Sequence, residues 1–326
     1  MTKARMVEVA EFGAPDVMKI VSRDLAAPAE GEAQIRQTAI GFNYLDISQR
    51  AGAMKLPLPT GIGHEAAGVV EAVGEGVADV KVGDRVVYMN AGIGAYADAR
   101  NVASSKLVVL PAGVSDEAAA TLMFKGMTAQ YLVKKTYAVK PGDLVLVHSA
   151  AGAVGQILAS WCKALGATVV GTAGGAEKCA IAKKAGCDFA IDYSKAGWVE
   201  EFMKVTGGKK AAVVYDAVGK DTFYQSLDCA AQFGMVVLYG AASGPVTDFA
   251  PEMLNAKGCL FLTRPSVFPH NADPATFRAN AADLFEAITS GKVKVDIGQR
   301  FKLDDIVKVH EQVKGRGTTG AVLITP

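Results

Sequence analysis

The sequence has no C-x-x-C pair, no long hydrophobic run and almost no net charge. Its five cysteines are scattered between positions 162 and 259: Cys162, Cys179, Cys187, Cys229 and Cys259. Cysteines without a paired spacing favour buried thiols over disulfides or metal ligands. The net charge of +1 over 326 residues leaves no broad basic field. Nucleic acid is therefore not an expected partner.

Targeting and membrane segments are also missing from the sequence. The N-terminal residues MTKARMVEVAEF lack the apolar core of a signal peptide, and no apolar run is long enough to cross a bilayer. We therefore expect a soluble cytoplasmic protein with no membrane partner. Half of the composition is hydrophobic, which allows a large core, and the 326 residues indicate two domains.

Residues 143–173 predict a strand, a glycine turn, a helix and a second strand. Residues 144–147 form a continuous apolar run, which is typical of a strand buried on both faces in a parallel sheet. The turn at 150–155 reads A-x-G-x-x-G, the dinucleotide-binding fingerprint with alanine in place of its first glycine. In that interpretation, backbone amides of Gly152, Ala153, Val154 and Gly155 lie at a helix N-terminus and bind a pyrophosphate. A tight turn with a purely structural role is the alternative from these residues alone.

The residues after the second strand favour NADPH over NADH. A site for NAD usually has Asp or Glu about 20 residues after the first glycine, whereas residues 171–175 read G-T-A-G-G. No carboxylate at that place repels a 2′-phosphate. We predict that Thr172 donates a hydrogen bond to the phosphate, that Gly174 lines the same site and that Lys178 reaches the phosphate from the next helix. A solvated helix lysine is the alternative for Lys178.

The order of the predicted elements indicates an α/β protein. Residues 3–111 consist of short β runs separated by Gly, Pro, Asp and Asn, which predicts a twisted, partly closed antiparallel barrel. A helical stretch at 115–139, broken near Gly126, leads into six apolar strand candidates between 143 and 263. Six such strands predict a Rossmann doubly wound parallel sheet. The predicted domains are 1–125, completed by 265–326, and 126–264, with the reaction expected in the cleft between them.

Several motifs resemble one known family over essentially the whole chain. They are G-x-N-Y-x-D at 41–46, GHEAAGVVEAVGEGV at 63–77, VKVGDRVVY at 80–88, AAGAVG at 150–155 and TRPS at 263–266. Together they resemble the quinone oxidoreductases, the zeta-crystallin-like branch of the medium-chain dehydrogenase/reductase superfamily. That branch usually reads AAGGVG, so Ala153 is a departure. The resemblance implies a mainly β, GroES-like catalytic domain beside the Rossmann domain, NADPH as cofactor, a small quinone as substrate and a homodimer.

The resemblance also implies that no metal takes part. The zinc-dependent relatives have cysteine ligands where this chain has Asn43 and Phe124, so that only His64 and Glu65 of that site are present. One imidazole and one carboxylate are too few for a zinc site with three protein ligands. Hydride addition to a quinone produces a phenolate-type anion whose charge is delocalised. A hydrogen-bond donor is therefore expected to suffice where reduction of a ketone needs a Lewis acid.

The remaining site residues are implied by the resemblance. Asn43, Tyr44 and Asp46 are expected near the nicotinamide ribose and the acceptor, or else in a polar turn, and Tyr131 beside the nicotinamide, or else in the core. Lys125 is expected either to add positive charge to the cleft or to lie on the surface. Lys178, Tyr193 and Arg316 are expected to surround the 2′-phosphate. Gly240, Ala241, Phe261, Thr263 and Arg264 are expected on the nicotinamide side. We interpret His148, His270 and His310 as structural or surface residues.

Two other functions stay open at this stage. An NADPH-dependent reductase of the activated double bond in enones or alkenals needs the same hydride geometry as a quinone reductase. A non-catalytic structural or RNA-binding role is a minor alternative, because the charge of the chain is nearly neutral.

Overall fold

The computed structural model describes residues 2–294, 296–314 and 318–326. Arg316 lies outside the described residues. The chain folds into two compact units: the first comprises Met1–Met127, Asn271–Phe285 and Asp296–Pro326, and the second comprises Thr128–His270 and Glu286–Val295. Residues 286–295, which the sequence assigns to the first domain, thus pack within the second unit. The predicted functional domain boundaries stay a prediction.

The strands in chain order are β1 (Thr2–Val9), β2 (Met18–Leu25), β3 (Glu32–Gly41), β4 (Glu65–Val73), β5 (Arg85–Met89), β6 (Ala99–Ala103), β7 (Leu107–Val109), β8 (Leu144–Val147), β9 (Thr168–Ala173), β10 (Phe189–Asp192), β11 (Ala211–Asp216), β12 (Ala230–Leu238), β13 (Phe261–Thr263), β14 (Ile297–Lys302) and β15 (Ala321–Thr325). The α-helices are α1 (Tyr44–Arg50), α2 (Asp116–Tyr131), α3 (Ala153–Ala164), α4 (Ala176–Lys184), α5 (Trp198–Val205), α6 (Phe223–Cys229), α7 (Glu252–Ala256), α8 (Val267–His270), α9 (Pro274–Thr289) and α10 (Ile306–Lys314). Short 3-10 helices occur at Pro15–Val17, Ser104–Lys106 and Leu303–Asp305, and a single π-helical turn at Leu132–Thr136.

The first unit is built on β-sheet. Within the described residues, β14-β15-β3-β4-β5-β7 form a sheet in that order, β6 also pairs with β3, and β1 pairs with β2. All of these pairs are antiparallel except β14 with β15. The core contains Ile35 and Ile40 of β3, Val86 of β5 and Ile324 of β15, which are all fully buried. The predicted mainly β character of this part is thereby confirmed.

The second unit contains the predicted doubly wound sheet. Its six strands lie in the order β10-β9-β8-β11-β12-β13, and every pair is parallel. Apolar runs such as residues 144–147 are buried on both faces because helices cover the sheet, as in other parallel sheets. Val170 and Val214 pack against Phe202 of α5 and Phe223 of α6 in the core. The predicted Rossmann topology is confirmed.

The helix α2 is continuous through Gly126, where the sequence predicts a break. A Cβ atom at this position would lie 2.6 Å from Cδ1 of Leu284 in α9. The glycine therefore allows a second helix to pack closely and does not interrupt its own helix. Separately, no helix within residues 2–294, 296–314 and 318–326 combines the length and apolar character that a membrane crossing requires.

Candidate functional site

The glycine turn follows β8 and opens α3. Gly152 occupies the N-cap position of α3. Among the described residues, no side chain forms a hydrogen bond that caps this end, and the first turn contains no acidic residue. A Cβ atom at Gly155 would lie 2.3 Å from the carbonyl oxygen of Ser149 and 2.7 Å from Cα of Ala150. Only glycine therefore lets this helix approach its strand. Ser149 has a φ of 55°, a left-handed conformation that costs about 1–3 kcal/mol. A strained turn at an uncapped helix N-terminus is suited to binding an anion.

A buried histidine connects the ends of β8 and β9 to α6. The Nδ1 atom of His148 lies 2.7 Å from Oγ1 of Thr172, and its Nε2 atom lies 2.9 Å from Oγ of Ser226. Burial lowers the pKa of His148, and the nearby Asp216 opposes that shift. The side chain of Thr172 is fully buried and its hydroxyl lies against His148, and its contact with a 2′-phosphate stays a prediction.

The loops after β9 and β10 lie side by side. A Cβ atom at Gly174 would be 4.0 Å from the hydroxyl of Tyr193 and would meet no closer atom outside its chain neighbours. Lys178 lies in the first turn of α4 and is half-buried. The structure thus brings Gly174, Lys178 and Tyr193 to one edge of the sheet. Asp192, which the sequence analysis missed, accepts a hydrogen bond of 2.9 Å from the amide of Gly175. Hydrogen bonds from Ser194 and this amide lower the pKa of Asp192.

Four further predicted residues lie at the carboxyl ends of β12 and β13. A Cβ atom at Gly240 would lie 2.4 Å from the carbonyl oxygen of Ala217, so the chain passes too close there for a side chain. Ala241 follows Gly240, and Thr263 is the last residue of β13. The Nη1 atom of Arg264 is 3.3 Å from the carbonyl oxygen of Leu238 and 3.4 Å from that of Gly240. Arg264 therefore supports this loop through backbone carbonyls.

Phe261 is not brought to this edge. It begins β13, two residues before Thr263, and pairs with Met235 within the sheet. Two residues of extended chain separate it by about 7 Å from the carboxyl end. Its side chain is 59% exposed on the outermost strand. The predicted position of Phe261 beside the nicotinamide stays a prediction.

Tyr131 is buried at the end of α2 and stacks on a histidine. Its ring and that of His270 lie parallel within 8°, with centroids 4.3 Å apart. Burial raises the pKa of Tyr131 and lowers that of His270, where Lys135 adds to the shift. Tyr131 also adds to the raised pKa of the half-buried Tyr239, beside Gly240. The stacked pair therefore lies in the same unit as the predicted nicotinamide-side loop.

The first unit contains a buried cluster around Glu65. Its Oε1 atom accepts a hydrogen bond of 2.7 Å from Nζ of Lys125 and one of 2.9 Å from Nδ2 of Asn43. Its Oε2 atom accepts one of 2.5 Å from the amide of Phe124. Lys125 also donates to Oδ1 of Asn43 at 3.0 Å. The side chains of Lys125 and Glu65 are 7% and 0% exposed, so the lysine is a buried ion-pair partner and not a surface residue.

Asp46 extends this cluster. Its Oδ2 atom accepts hydrogen bonds from the amide of Asn43 at 2.9 Å and from the hydroxyl of Tyr96 at 2.7 Å. Its Oδ1 atom is buried and has no hydrogen-bond partner among the described residues. Burial raises the pKa of Asp46 to about 7, although both hydrogen bonds act in the opposite direction. Tyr44, predicted beside these residues, begins α1 and is 51% exposed.

The cluster does not fit a metal site. In the ranges that the structure describes, no three His, Cys, Asp or Glu side chains form a group that could hold a metal ion. Both oxygens of Glu65 are engaged by Lys125, Asn43 and Phe124. The Nε2 atom of His64 lies 2.9 Å from Oε1 of Gln49, and burial lowers the pKa of His64 to about 4.

The sequence did not reveal the partners of the three histidines or of Lys125. His310 is fully buried beside Arg50, with Nδ1 3.3 Å from the arginine Nε. None of His148, His270 and His310 is exposed, and each has a side-chain or ring partner. The pairing of Lys125 with Glu65 joins residues 60 positions apart. A lysine inside an apolar helix segment beside Phe124 was the only sequence signal for it.

Two family models match this chain. The model described as alcohol dehydrogenase GroES-like domain matches residues 29–139, and the model described as zinc-binding dehydrogenase matches residues 153–285. With the Rossmann-type sheet, they define the class of the protein as a medium-chain dehydrogenase/reductase. The described side chains do not fit the zinc in the second description, for the reasons given above.

Full-length relatives narrow this class. Quinone oxidoreductase 1 of Escherichia coli (strain K12) is 43% identical over 326 residues, with 99% of this chain and 100% of the relative covered. A crystal structure of Escherichia coli quinone oxidoreductase complexed with NADPH has a TM-score of 0.95 at 43% identity and covers 99% of this chain and 100% of the other. A 2-haloacrylate reductase of Burkholderia sp is 40% identical, with 96% of each chain covered. The chain belongs to the quinone oxidoreductase family.

Proposed function

We propose that this protein is an NADPH-dependent quinone oxidoreductase that transfers hydride without zinc. The observation that carries the proposal is the uncapped N-terminus of α3, where Gly155 is sterically required and the first turn is free of acidic residues among the described positions. The 43% identical relative is a quinone oxidoreductase, and its solved structure contains NADPH. The same cofactor suits the residues of this chain.

The residues present fit a phosphorylated dinucleotide. The amides of Gly152, Ala153, Val154 and Gly155 would hold the pyrophosphate at the helix N-terminus. Lys178 and Tyr193, which lie at one edge of the sheet, would hold the 2′-phosphate, and Arg316 would join them. Gly240, Ala241, Thr263, Arg264 and Tyr131 would line the nicotinamide side. Asp192 stays ionised at this edge, with Oδ1 accepting from Gly175 and Ser194 and Oδ2 3.9 Å from Nζ of Lys195. The cations of Lys178 and Arg316 would therefore also have to offset its charge.

The chemistry needs a donor for a developing phenolate. When bound, NADPH supplies the hydride, and the protein supplies position, orientation and exclusion of water. Asn43 and Asp46 would lie beside the acceptor, with Tyr44 at the exposed end of α1. Their amide and carboxyl groups are held in place by Glu65, Lys125 and Tyr96. Fixed dipoles of this kind stabilise charge that develops during reaction.

Steady-state kinetics tests the proposal. The purified chain is mixed with NADPH and simple benzoquinones or naphthoquinones, and the loss of NADPH absorbance is followed. We expect turnover with NADPH and much slower turnover with NADH. Absence of NADPH oxidation with every quinone would refute the function, as would a stoichiometric zinc ion that is essential to turnover.

Reduction of an activated carbon–carbon double bond is the second candidate. The 40% identical 2-haloacrylate reductase favours it, because a haloacrylate contains a double bond conjugated to a carboxylate. The ratio of kcat/KM for a naphthoquinone to that for an enone or haloacrylate decides between the two. A ratio below one would make the double bond the preferred acceptor.

Assembly, compartment and domain roles belong to the same proposal. We expect a homodimer, supported by the exposed Phe261 on the outermost strand β13, and a monomer in light scattering would contradict it.

We expect a cytoplasmic protein, with residues 1–125 and 265–326 as catalytic domain and 126–264 as NADPH-binding domain. A non-catalytic RNA-binding role would require RNA affinity that falls steeply with salt.

A further inference from the structure

The cluster of the first unit contains a buried lysine, Lys125, that contacts Asn43. Nζ of Lys125 donates to Glu65 at 2.7 Å and to Asn43 at 3.0 Å, and its side chain is 7% exposed. Lysine is almost never buried unless it is paired. Removal of an ammonium group from water is costly, and the carboxylate of Glu65 offsets that cost. The contact of Lys125 with Asn43 indicates that the ion pair acts on the orientation of the Asn43 side chain.

Lys125 and Glu65 together determine which way the Asn43 amide points. An ammonium group has only donors, and an ionised carboxylate has only acceptors. Oδ1 of Asn43 therefore faces Lys125, and Nδ2 faces Glu65 at 2.9 Å. The reversed amide would place donors against donors and acceptors against acceptors. The orientation is thus decided by two fixed charges.

One hydrogen of the Asn43 amide remains available in this arrangement. Nδ2 carries two hydrogens, and one of them is used by Glu65. Among the described residues, no other acceptor for Nδ2 is present in the hydrogen bonds of Asn43. Because Oδ1 accepts from a cation, the amide is polarised and the remaining N–H is a stronger donor than that of an ordinary asparagine.

We propose that Lys125 is a positioning residue for quinone reduction: by holding Oδ1 of Asn43, it directs the remaining Nδ2 hydrogen at the acceptor oxygen that becomes negatively charged. This proposal rests on the proposed function. In the reaction, the quinone takes two electrons and one proton as hydride from the reduced nicotinamide, which is oxidised. The resulting hydroquinone monoanion takes its second proton from water. The donor of Asn43 stabilises that monoanion before it is protonated.

A double-mutant cycle separates action through Asn43 from independent action. The variants are Lys125→Met, Asn43→Ala and their combination, with Lys292→Met as the matched control. Lys292 is an exposed lysine paired with Glu286 at 3.3 Å. Kcat with a naphthoquinone, the KM for the quinone and the dissociation constant of NADPH from fluorescence are measured for each variant.

We expect Asn43→Ala to lower kcat by about 100-fold, the loss typical of one oxyanion donor. Lys125→Met is expected to lower kcat by about tenfold, as for one charge-assisted hydrogen bond. NADPH affinity stays within about twofold of wild type in Lys125→Met, and Lys292→Met matches wild type. The combined variant is expected to be no slower than Asn43→Ala. A combined loss equal to the product of the two single losses, or an unchanged kcat in Lys125→Met, would overturn the proposal.

A charge-neutral pair tests whether the lysine serves only to neutralise Glu65. Lys125→Met alone leaves a buried carboxylate without its cation, and folding is checked by circular dichroism and thermal unfolding. The double variant Lys125→Met with Glu65→Gln removes both charges. It restores stability if the unpaired buried carboxylate of Glu65 is what destabilises Lys125→Met. We expect this pair to fold and to stay about tenfold slow, because the Asn43 amide is no longer oriented. Full recovery of kcat in the pair would show a merely structural role.

A redox-inert phenol gives a readout that does not depend on turnover. Para-nitrophenol is titrated by absorbance in the presence of NADP⁺ and each variant. We expect wild type to lower the pKa of the bound phenol, and Lys125→Met and Asn43→Ala to lower it less. Equal pKa values in wild type and Lys125→Met, or no bound phenolate in wild type, would overturn the proposal. If wild type binds the phenolate but oxidises no NADPH with any quinone, the proposed function is refuted, whereas the role of Lys125 in orienting the Asn43 donor is still supported.

Discussion

Each unit contains a buried polar network, and the two differ in how completely their hydrogen bonds are satisfied. In the second unit, Asp216 accepts hydrogen bonds from the amides of Val218 and Gly219 and from the hydroxyls of Thr222 and Ser226, all between 2.8 and 3.0 Å. Both nitrogens of His148 lie against hydroxyl oxygens. Each of these polar groups therefore already has a hydrogen-bond partner.

The network of the first unit is incomplete by comparison. One Nδ2 hydrogen of Asn43 and the Oδ1 atom of Asp46 have no partner among the described residues. Buried polar groups are nearly always satisfied in proteins, so an exception indicates a ligand or a function. Burial and polarity alone therefore do not identify a site. The closed network holds backbone loops in place, and the open one contains polar groups without a hydrogen-bond partner among the described residues.

The largest expected effect is on stability, from removing the centre of the closed network. Asp216→Ala leaves two amides and two hydroxyls without their acceptor. We expect the free energy of unfolding to fall by about 3–5 kcal/mol, measured by urea denaturation. Asp221→Ala is the matched control, because this neighbouring aspartate is exposed. Equal losses in the two variants would mean that the closed network does not hold the fold.

The second prediction concerns how the stability of the protein depends on pH through Asp46. The pKa of Asp46 is raised from 3.8 to about 7, so its favourable protonated form is fully present below pH 3.8 and lost as the pH rises through 7. Wild type should therefore lose roughly 4 kcal/mol of stability relative to Asp46→Asn over that range. His148 predicts the opposite sign, because its lowered pKa removes stability as the pH falls. Parallel pH–stability curves for wild type and Asp46→Asn would contradict the raised pKa.

The smallest expected effect concerns a residue outside both networks. Lys178→Ala should weaken binding of NADPH by about 1.5–3 kcal/mol more than binding of NADH, because only the phosphorylated cofactor loses a charged hydrogen bond. Fluorescence titration with both cofactors measures it, and the same expectation holds for Arg316→Ala. Lys204→Ala, an exposed lysine of α5 paired with Glu201, is the control. A loss of equal size for NADPH and NADH would leave 2′-phosphate recognition to other residues.

The sequence predicted all six strands of the second unit but fewer of the strands of the first unit. The strands of the parallel sheet in the second unit contain short apolar runs, and all six strands were identified. The strands β6 and β14 were missed, because polar residues interrupt the apolar residues of ARNVA and IGQRFK, which contain no such run. Gly126 was read as a helix break, although its neighbour in space, Leu284, lies far away in the sequence.

The candidate site divides in the same way. Gly155 was identified correctly as a position of close helix–strand packing, because a glycine turn between a strand and a helix is local information. The contact of the Thr172 hydroxyl with His148 and the place of Phe261 on the outermost strand β13 were not predicted. Neither partner nor strand order is visible in neighbouring residues.

The sequence by itself determined the alternation of strands and helices, the glycine turn and the lack of a carboxylate at residues 171–175, since each of these depends on residue spacing along the chain. The tertiary structure alone decided that Lys125 pairs with Glu65 and that these two charges orient Asn43. Hydrogen bonds and ion pairs depend on distance in space, and folding brings together groups that are 60 or more residues apart.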